Sequence, residues 1–261
     1  MSNSTPKNFT IADEVTVNRI GYGAMRLTGQ PGNFGPYAAW EDGKTLLRHA
    51  VERGVRFIDS AFAYGPEWAD KIIADALHPY RDDLFIATKG GVDKPEPGKI
   101  VVDGKPETLQ RQVDLALTNL KTNRLDLFQL HRVDPEVPIE DSIGAVQAAR
   151  LAGKIRFIGL SNVDQAQLDR ALAVTDIASV QNRYNQAEPD DDSLVDYTNE
   201  KNIVYLPWGP LGAQPWEPGA PLPARESLAW LLNRSPNIVV IPGTTSIAHL
   251  DENLSAWDLV S

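Results

Sequence analysis

One pattern constrains this chain more than any other: eight short β-rich runs alternate with eight stretches of helical periodicity. The runs lie at residues 19–22, 55–58, 84–88, 125–130, 155–160, 178–181, 203–206 and 238–241, and the helical patterns at 42–53, 68–77, 106–120, 139–152, 163–173, 193–201, 224–233 and 247–259. In the third helical pattern Leu109, Val113, Leu117 and Leu120 recur at three- and four-residue spacing with Arg111, Asp114 and Asn119 between them, so one face is buried. The run Leu125-Asp126-Leu127-Phe128-Gln129-Leu130 is instead nearly continuous in apolar residues, as a parallel strand covered on both faces requires. Eight such units predict an α/β fold, the closed (β/α)8 TIM barrel. A short N-terminal β-hairpin is expected before it, from Phe9-Thr10-Ile11 and Val15-Thr16-Val17 flanking Ala12-Asp13-Glu14. The competing doubly wound sheet lacks its glycine-rich G-x-G-x-x-G turn.

Length agrees with that choice. At about 150 residues per domain the 261 residues would make nearly two domains, but one barrel commonly uses roughly 250, and no linker divides the chain. A single domain over residues 1–261 is expected, with residues 1–8 as a flexible tail. The net charge of -10, from 25 Lys and Arg against 35 Asp and Glu, repels nucleic acid phosphates and anionic lipid. Nucleic acid and membrane partners are therefore not expected. The absence of cysteine excludes disulfides, thiol catalysis and cysteine-bound metal, no metal site is expected, and a reducing compartment fits. The opening MSNSTPKNFTIADE has no apolar signal core and no run reaches about 18 apolar residues, so a cytoplasmic protein is expected. Nothing in the sequence indicates an oligomeric state.

In a barrel the reactive groups belong at the C-terminal ends of the strands. There the chain places Asp59, followed by Tyr64 and Gly65, then Lys89, His131, Ser161-Asn162, Gln181 and the run Trp208-Gly209-Pro210-Leu211-Gly212. Singly, each has an ordinary structural use: a solvated loop lysine, a turn aspartate, a packed tyrosine. Together they converge on one mouth.

The run Asp59-Ser-Ala-Phe-Ala-Tyr64-Gly65 resembles the aldo-keto reductase superfamily, with Lys89 ending the next strand and Leu130-His131 the one after. So do Gly159-Leu160-Ser161-Asn162, Gln181, Pro210-Leu211-Gly212 and Ile241-Pro242-Gly243-Thr244, in the family's order. The resemblance implies a reductase that turns aldehydes and ketones, its small-molecule substrates, into alcohols by hydride transfer. Tyr64 would be the general acid, Lys89 would lower the tyrosine's pKa, Asp59 would hold Lys89, and His131 would orient the carbonyl oxygen. It also implies a nicotinamide dinucleotide lying across the barrel mouth. Gly23, Ala24 and Met25 would line it at the first strand's end, beside Asp59. Ser161, Asn162 and Gln181 would hold the carboxamide, and Trp208, with Gly209 to Gly212 after it, would stack on the nicotinamide ring.

The last β-α junction would take the adenosine-phosphate end through Gly243, Thr244, Thr245 and the Ser246 hydroxyl at a helix start, with Glu252 and Asn253 near adenine. Gly243 and His249 stand where many members carry Lys and Arg against the 2'-phosphate. NADPH is expected nonetheless, with NADH the alternative. Between the seventh strand and its helix the chain has only Gln214 to Pro223, and it stops soon after the eighth helix. Relative to the family's usual long loop and tail, that implies an open pocket with broad selection and Trp216 as a candidate wall. The other readings are a nicotinamide-binding regulatory or scaffold barrel with little turnover, and a barrel aldolase using Lys89 as a Schiff-base amine.

Overall fold

The computed structural model describes residues 5–212 and 222–261. Strands β1 (Asn8–Ile11) and β2 (Val15–Asn18) pair antiparallel, with Ala12 and Asp13 both at positive φ in the turn between them. Such a turn matches the strand twist of a tight hairpin. Then β3 (Tyr22–Gly23), α1 (Trp40–Glu52), β4 (Phe57–Asp59), α2 (Trp68–Leu77) and β5 (Phe85–Gly90) follow. An antiparallel pair, β6 (Val92–Glu96) and β7 (Lys99–Val102), interrupts the alternation. It resumes with α3 (Pro106–Asn119), β8 (Leu125–Leu130), α4 (Ile139–Leu151), β9 (Ile155–Ser161), α5 (Gln165–Leu172), β10 (Ser179–Gln181), α6 (Asp192–Glu200) and β11 (Val204–Tyr205). The chain ends with α7 (Ala224–Arg234), α8 (Ile247–Leu254) and a 3-10 turn at Ser255–Leu259.

The seven strands β3, β4, β5, β8, β9, β10 and β11 form one parallel sheet in that spatial order. The eighth run closes it without forming a regular strand: Ile238 bridges to Tyr205 on β11 and Val240 bridges to Ile20 just before β3, both in parallel. Arg19 secures this seam. Its buried guanidinium donates to the carbonyls of Ile238 at 2.8 Å, Leu232 at 2.8 Å, Ser235 at 2.5 Å and Pro6 at 3.0 Å. Burial lowers its pKa to about 10.

Two apolar layers explain why the strands look apolar on both faces. Inward residues Phe57, Phe85, Ala87, Leu127, Phe157, Val204 and Val239 fill the barrel, where the Phe57 and Phe85 rings stack at 5.4 Å. Ile11 and Val17 of the hairpin join this cluster and floor it. Outward residues such as Ile58, Ile86, Phe128 and Ile158 pack with the helices in the second cluster. The alternation follows from the two-residue period of a strand.

One expectation needs correction, and another lies beyond what the structure describes. Residues 6–8 are not part of a flexible tail, because Asn8 belongs to β1, and Pro6 and Lys7 accept hydrogen bonds from Arg19. The loop at 214–223, with Trp216, lies almost wholly outside the described residues. Among those described, no helix is long and apolar enough to cross a membrane.

Candidate active site

The same period builds the site. If Phe57, Phe85, Leu127 and Phe157 face inward, so must Asp59, Lys89, Gln129, His131 and Ser161, which lie an even number of residues further along their strands. Each strand thus changes from apolar to polar as it approaches the mouth. Gly159 makes room for this polar layer, since a Cβ there would sit 2.0 Å from Ser179 Oγ and 2.9 Å from Gln129 Cγ.

Lys89 is wholly buried. Its Nζ donates to Asp59 Oδ1 at 2.8 Å, Asp59 Oδ2 at 2.7 Å and the Ser60 carbonyl at 2.8 Å, and lies 3.3 Å from Tyr64 Oη. Burial favours the neutral amine, but the charge of Asp59 overrides it and holds the Lys89 pKa above its ordinary value. A lysine kept protonated is a poor Schiff-base nucleophile, which removes support from the aldolase reading. Gln181 Nε2 donates to Asp59 Oδ1 at 2.9 Å and to Gln129 Oε1 at 3.2 Å, and Gln129 Nε2 reaches Ser179 Oγ at 3.1 Å.

Tyr64 differs from expectation in its net direction. Burial raises its pKa, Asp59 adds to the rise, and the Lys89 charge and hydrogen bond only oppose it. His131 moves the other way, well below its ordinary value, because it is buried and lies near the Lys89 and Arg132 charges. Its ring meets that of Tyr64 edge-on at 6.0 Å, and Nδ1 is buried without a partner among the described residues.

A cavity of about 820 Å³ opens over these groups. It is lined by Asp59, Tyr64 and His131 and by most of the expected cofactor positions: Gly23, Met25, Ser161, Asn162, Gln181, Trp208, Gly209, Pro210, Leu211, Gly243, Thr244, Thr245, His249, Glu252 and Asn253. Two expected positions fall elsewhere. Ala24 is buried in the outer core, and Gly212 is off the wall, its N–H donating to the Gly209 carbonyl at 3.0 Å. Ser246 caps α8, its hydroxyl accepting from the His249 N–H. Asn162 acts as a brace: its amide donates to the His131 carbonyl and to Ser161 Oγ, both at 3.0 Å, while its Oδ1 accepts from Trp208 Nε1 at 3.1 Å. Gly243 has a packing reason, since a Cβ there would meet the Gly23 carbonyl at 2.7 Å.

Sequence reasoning missed Arg26, Gln30, Asn33, Lys94 and Arg132 on the wall, and Gln129 beneath it. Gln129 was available from strand parity, lying midway between Leu127 and His131. The others sit on the β3–α1 connection, the β6–β7 hairpin and the loop after β8, where no periodicity marks them. Lys94 is buried with its ammonium on the Gly32 and Asn33 carbonyls at 2.6 and 2.8 Å, and burial lowers its pKa to about 8.

The aldo/keto reductase family model matches residues 19–216. The chain belongs to the aldo/keto reductase family. Pyridoxine 4-dehydrogenase of Escherichia coli is 40% identical to this family member over 275 residues, covering 99% of this chain and 94% of that protein. An aldo-keto reductase of Schizosaccharomyces pombe whose name carries NADP(+) is 30% identical, over 92% of this chain and 84% of its own length. The solved glycerol dehydrogenase of Gluconobacter oxydans shares the fold, with a TM-score of 0.82 at 21% identity over 97% of this chain and 94% of that one. This reductase-family barrel is an oxidoreductase.

Proposed function

We propose that the protein interconverts small aldehydes or ketones and their alcohols with a nicotinamide dinucleotide, NADPH in the reducing direction, and that Tyr64 is the general acid. The observation carrying this reading is the 3.3 Å contact between Tyr64 Oη and a lysine held in place by three oxygen contacts. When bound, the dinucleotide supplies hydride to the carbonyl carbon. As charge grows on the carbonyl oxygen, Tyr64 gives up its proton, and Lys89 stabilises the phenolate that remains. Burial keeps the proton on Tyr64 beforehand, and Lys89 limits how far that effect goes. His131, kept neutral, donates a hydrogen bond to the carbonyl oxygen without competing as the acid.

The residues present fit a carboxamide. Both amide hydrogens of Gln181 and of Asn162 are engaged, but Gln181 Oε1 and the Ser161 hydroxyl proton have no partner among the described residues. One accepts and one donates, as a carboxamide's NH2 and C=O require. At the other end, α8 begins beside Thr244 and Thr245, and the Arg26 Cγ lies 3.8 Å from where a Gly243 Cβ would be. We assign Arg26 the phosphate-neutralising role that Gly243 cannot take. The name of the 40%-identical relative points to aromatic alcohols such as pyridoxine as substrates.

Two titrations and one assay test the reading. Dissociation constants for NADPH and NADH at several salt concentrations should favour NADPH, more strongly at low salt, and Arg26→Met should erase most of that preference. A tenfold preference for NADH would overturn the cofactor assignment. Nicotinamide reduction with pyridoxine and NADP+ tests the substrate class, and turnover confined to aliphatic alcohols would contradict it.

A further inference from the structure

The catalytic pair has a second carboxylate behind it. Asp59 and Lys89 face into the barrel, so their chain neighbours Ser60 and Thr88 face outward, toward α2. There they meet one residue, Asp70, in the first turn of that helix. Ser60 Oγ donates to Asp70 Oδ1 at 2.5 Å, and Thr88 Oγ1 lies 3.2 Å from both carboxylate oxygens. Asp70 is 1% exposed and has no Lys or Arg within ion-pair distance among the described residues. An isolated buried carboxylate is costly, and an apolar side chain would suit a helix face packed on a sheet.

We propose that Asp70 is a positioning residue of the reductase site, clamping the residue after Asp59 to the residue before Lys89 and adding a second negative charge behind the Lys89 ammonium. The proposal rests on the reading of Tyr64 and Lys89 given above. The clamp works through the backbone: Ser60 is also the residue whose carbonyl accepts from Lys89 Nζ at 2.8 Å. Fixing Ser60 from outside therefore fixes one of the oxygens that hold Lys89 inside. Displacement of a reacting group by 1 Å can cost about a hundredfold in rate.

Several charged or titratable groups face this carboxyl. Lys89 approaches from β5, Glu67 from the start of α2, and Tyr80 from the segment after α2, while Ser60 and Thr88 supply hydroxyls. Burial dominates and raises the Asp70 pKa to about 6, although both hydroxyls and Lys89 pull it down. Asp70 thus gains a proton as pH falls through about 6. His131 is held well below its ordinary value by burial and by the Lys89 and Arg132 charges.

The test follows the Lys89 Cε signal by NMR in protein carrying 13C-lysine, alongside kcat, across pH 5 to 8. In the wild type the Lys89 signal should step near pH 6, and kcat should fall below that pH. Asp70→Asn should abolish the step and the acid limb and lower kcat at neutral pH by about tenfold, with cofactor affinity and carbonyl KM within about twofold of wild type. Thr88→Val removes one donor that favours the carboxylate, so the step and the limb should move to higher pH. This variant decides the matter if Asp70→Asn does not fold. A step unchanged in either variant, or absent from the wild type, would overturn the proposal. Failure of the underlying reading looks different: the wild type would bind cofactor and turn over no carbonyl, while the Lys89 step would still respond to both substitutions.

Discussion

Asp59 and Lys89 hold opposite charges with almost no exposed surface, and neither is viable there alone. Asp59→Asn should leave an ammonium buried against neutral acceptors, costing about 3–5 kcal/mol of stability, and should abolish turnover. Adding Lys89→Met should restore most of the lost stability but none of the activity, a split that thermal denaturation and steady-state assays resolve. Asp70 carries the opposite linkage sign to an ion-paired carboxylate. Its folded-state pKa of about 6 lies above the ordinary 3.8, so ionising it disfavours folding at pH values above 6 and that cost fades as pH falls toward 4. The stability of Asp70→Asn relative to wild type should therefore rise by up to about 3 kcal/mol between pH 4 and pH 8, measurable as denaturant midpoints across that range.

At the scale of elements, periodicity was a good guide wherever an element packs on one face or two. Strand β8 and helix α2 begin and end where their residue patterns do. The N-terminal hairpin and the residues at the strand ends were legible for the same reason, since strand parity places Asp59, Lys89 and His131 on one surface. The β6–β7 hairpin was not legible: its residues Val92-Asp-Lys-Pro-Glu and Lys99-Ile-Val-Val carry a proline and charges toward the tip, and its tip does not join the core. The net direction of the Tyr64 pKa was hidden too, because burial depth is a property of the assembled barrel and not of the Tyr64–Lys89 pairing. This hairpin contributes Val92, Lys94 and Ile100 to the cavity. Replacing residues 93–101 with a short glycine-serine turn should raise the carbonyl KM about tenfold, of the order of one lost pocket contact. The cofactor dissociation constant should stay within about twofold, as fluorescence titration would report.

For the molecule as a whole, closure of the barrel depends on the seam where residues 238–242 join the ends of the sheet. Arg19 stitches it with four hydrogen bonds to carbonyls, joining Pro6 to the end of α7 and the segment after it. Arg19→Met should leave the buried carbonyls of Leu232 and Ile238 unsatisfied and lose at least about 2 kcal/mol, lowering Tm by roughly 4–8 °C. Because Gly23 and Gly243 touch across that seam, the same change should weaken cofactor binding. If this closed barrel presents Tyr64 as an acid to a carbonyl, the phenol is needed for turnover and not for cofactor binding. Nicotinamide absorbance followed with a panel of small aromatic aldehydes, for wild type and Tyr64→Phe, alongside cofactor binding, decides the point. We predict turnover in the wild type, a loss of about 10²-fold or more in Tyr64→Phe, and equal cofactor affinity in both. Equal turnover in the two proteins, or tight cofactor binding without turnover in either, would rule out Tyr64 as the acid.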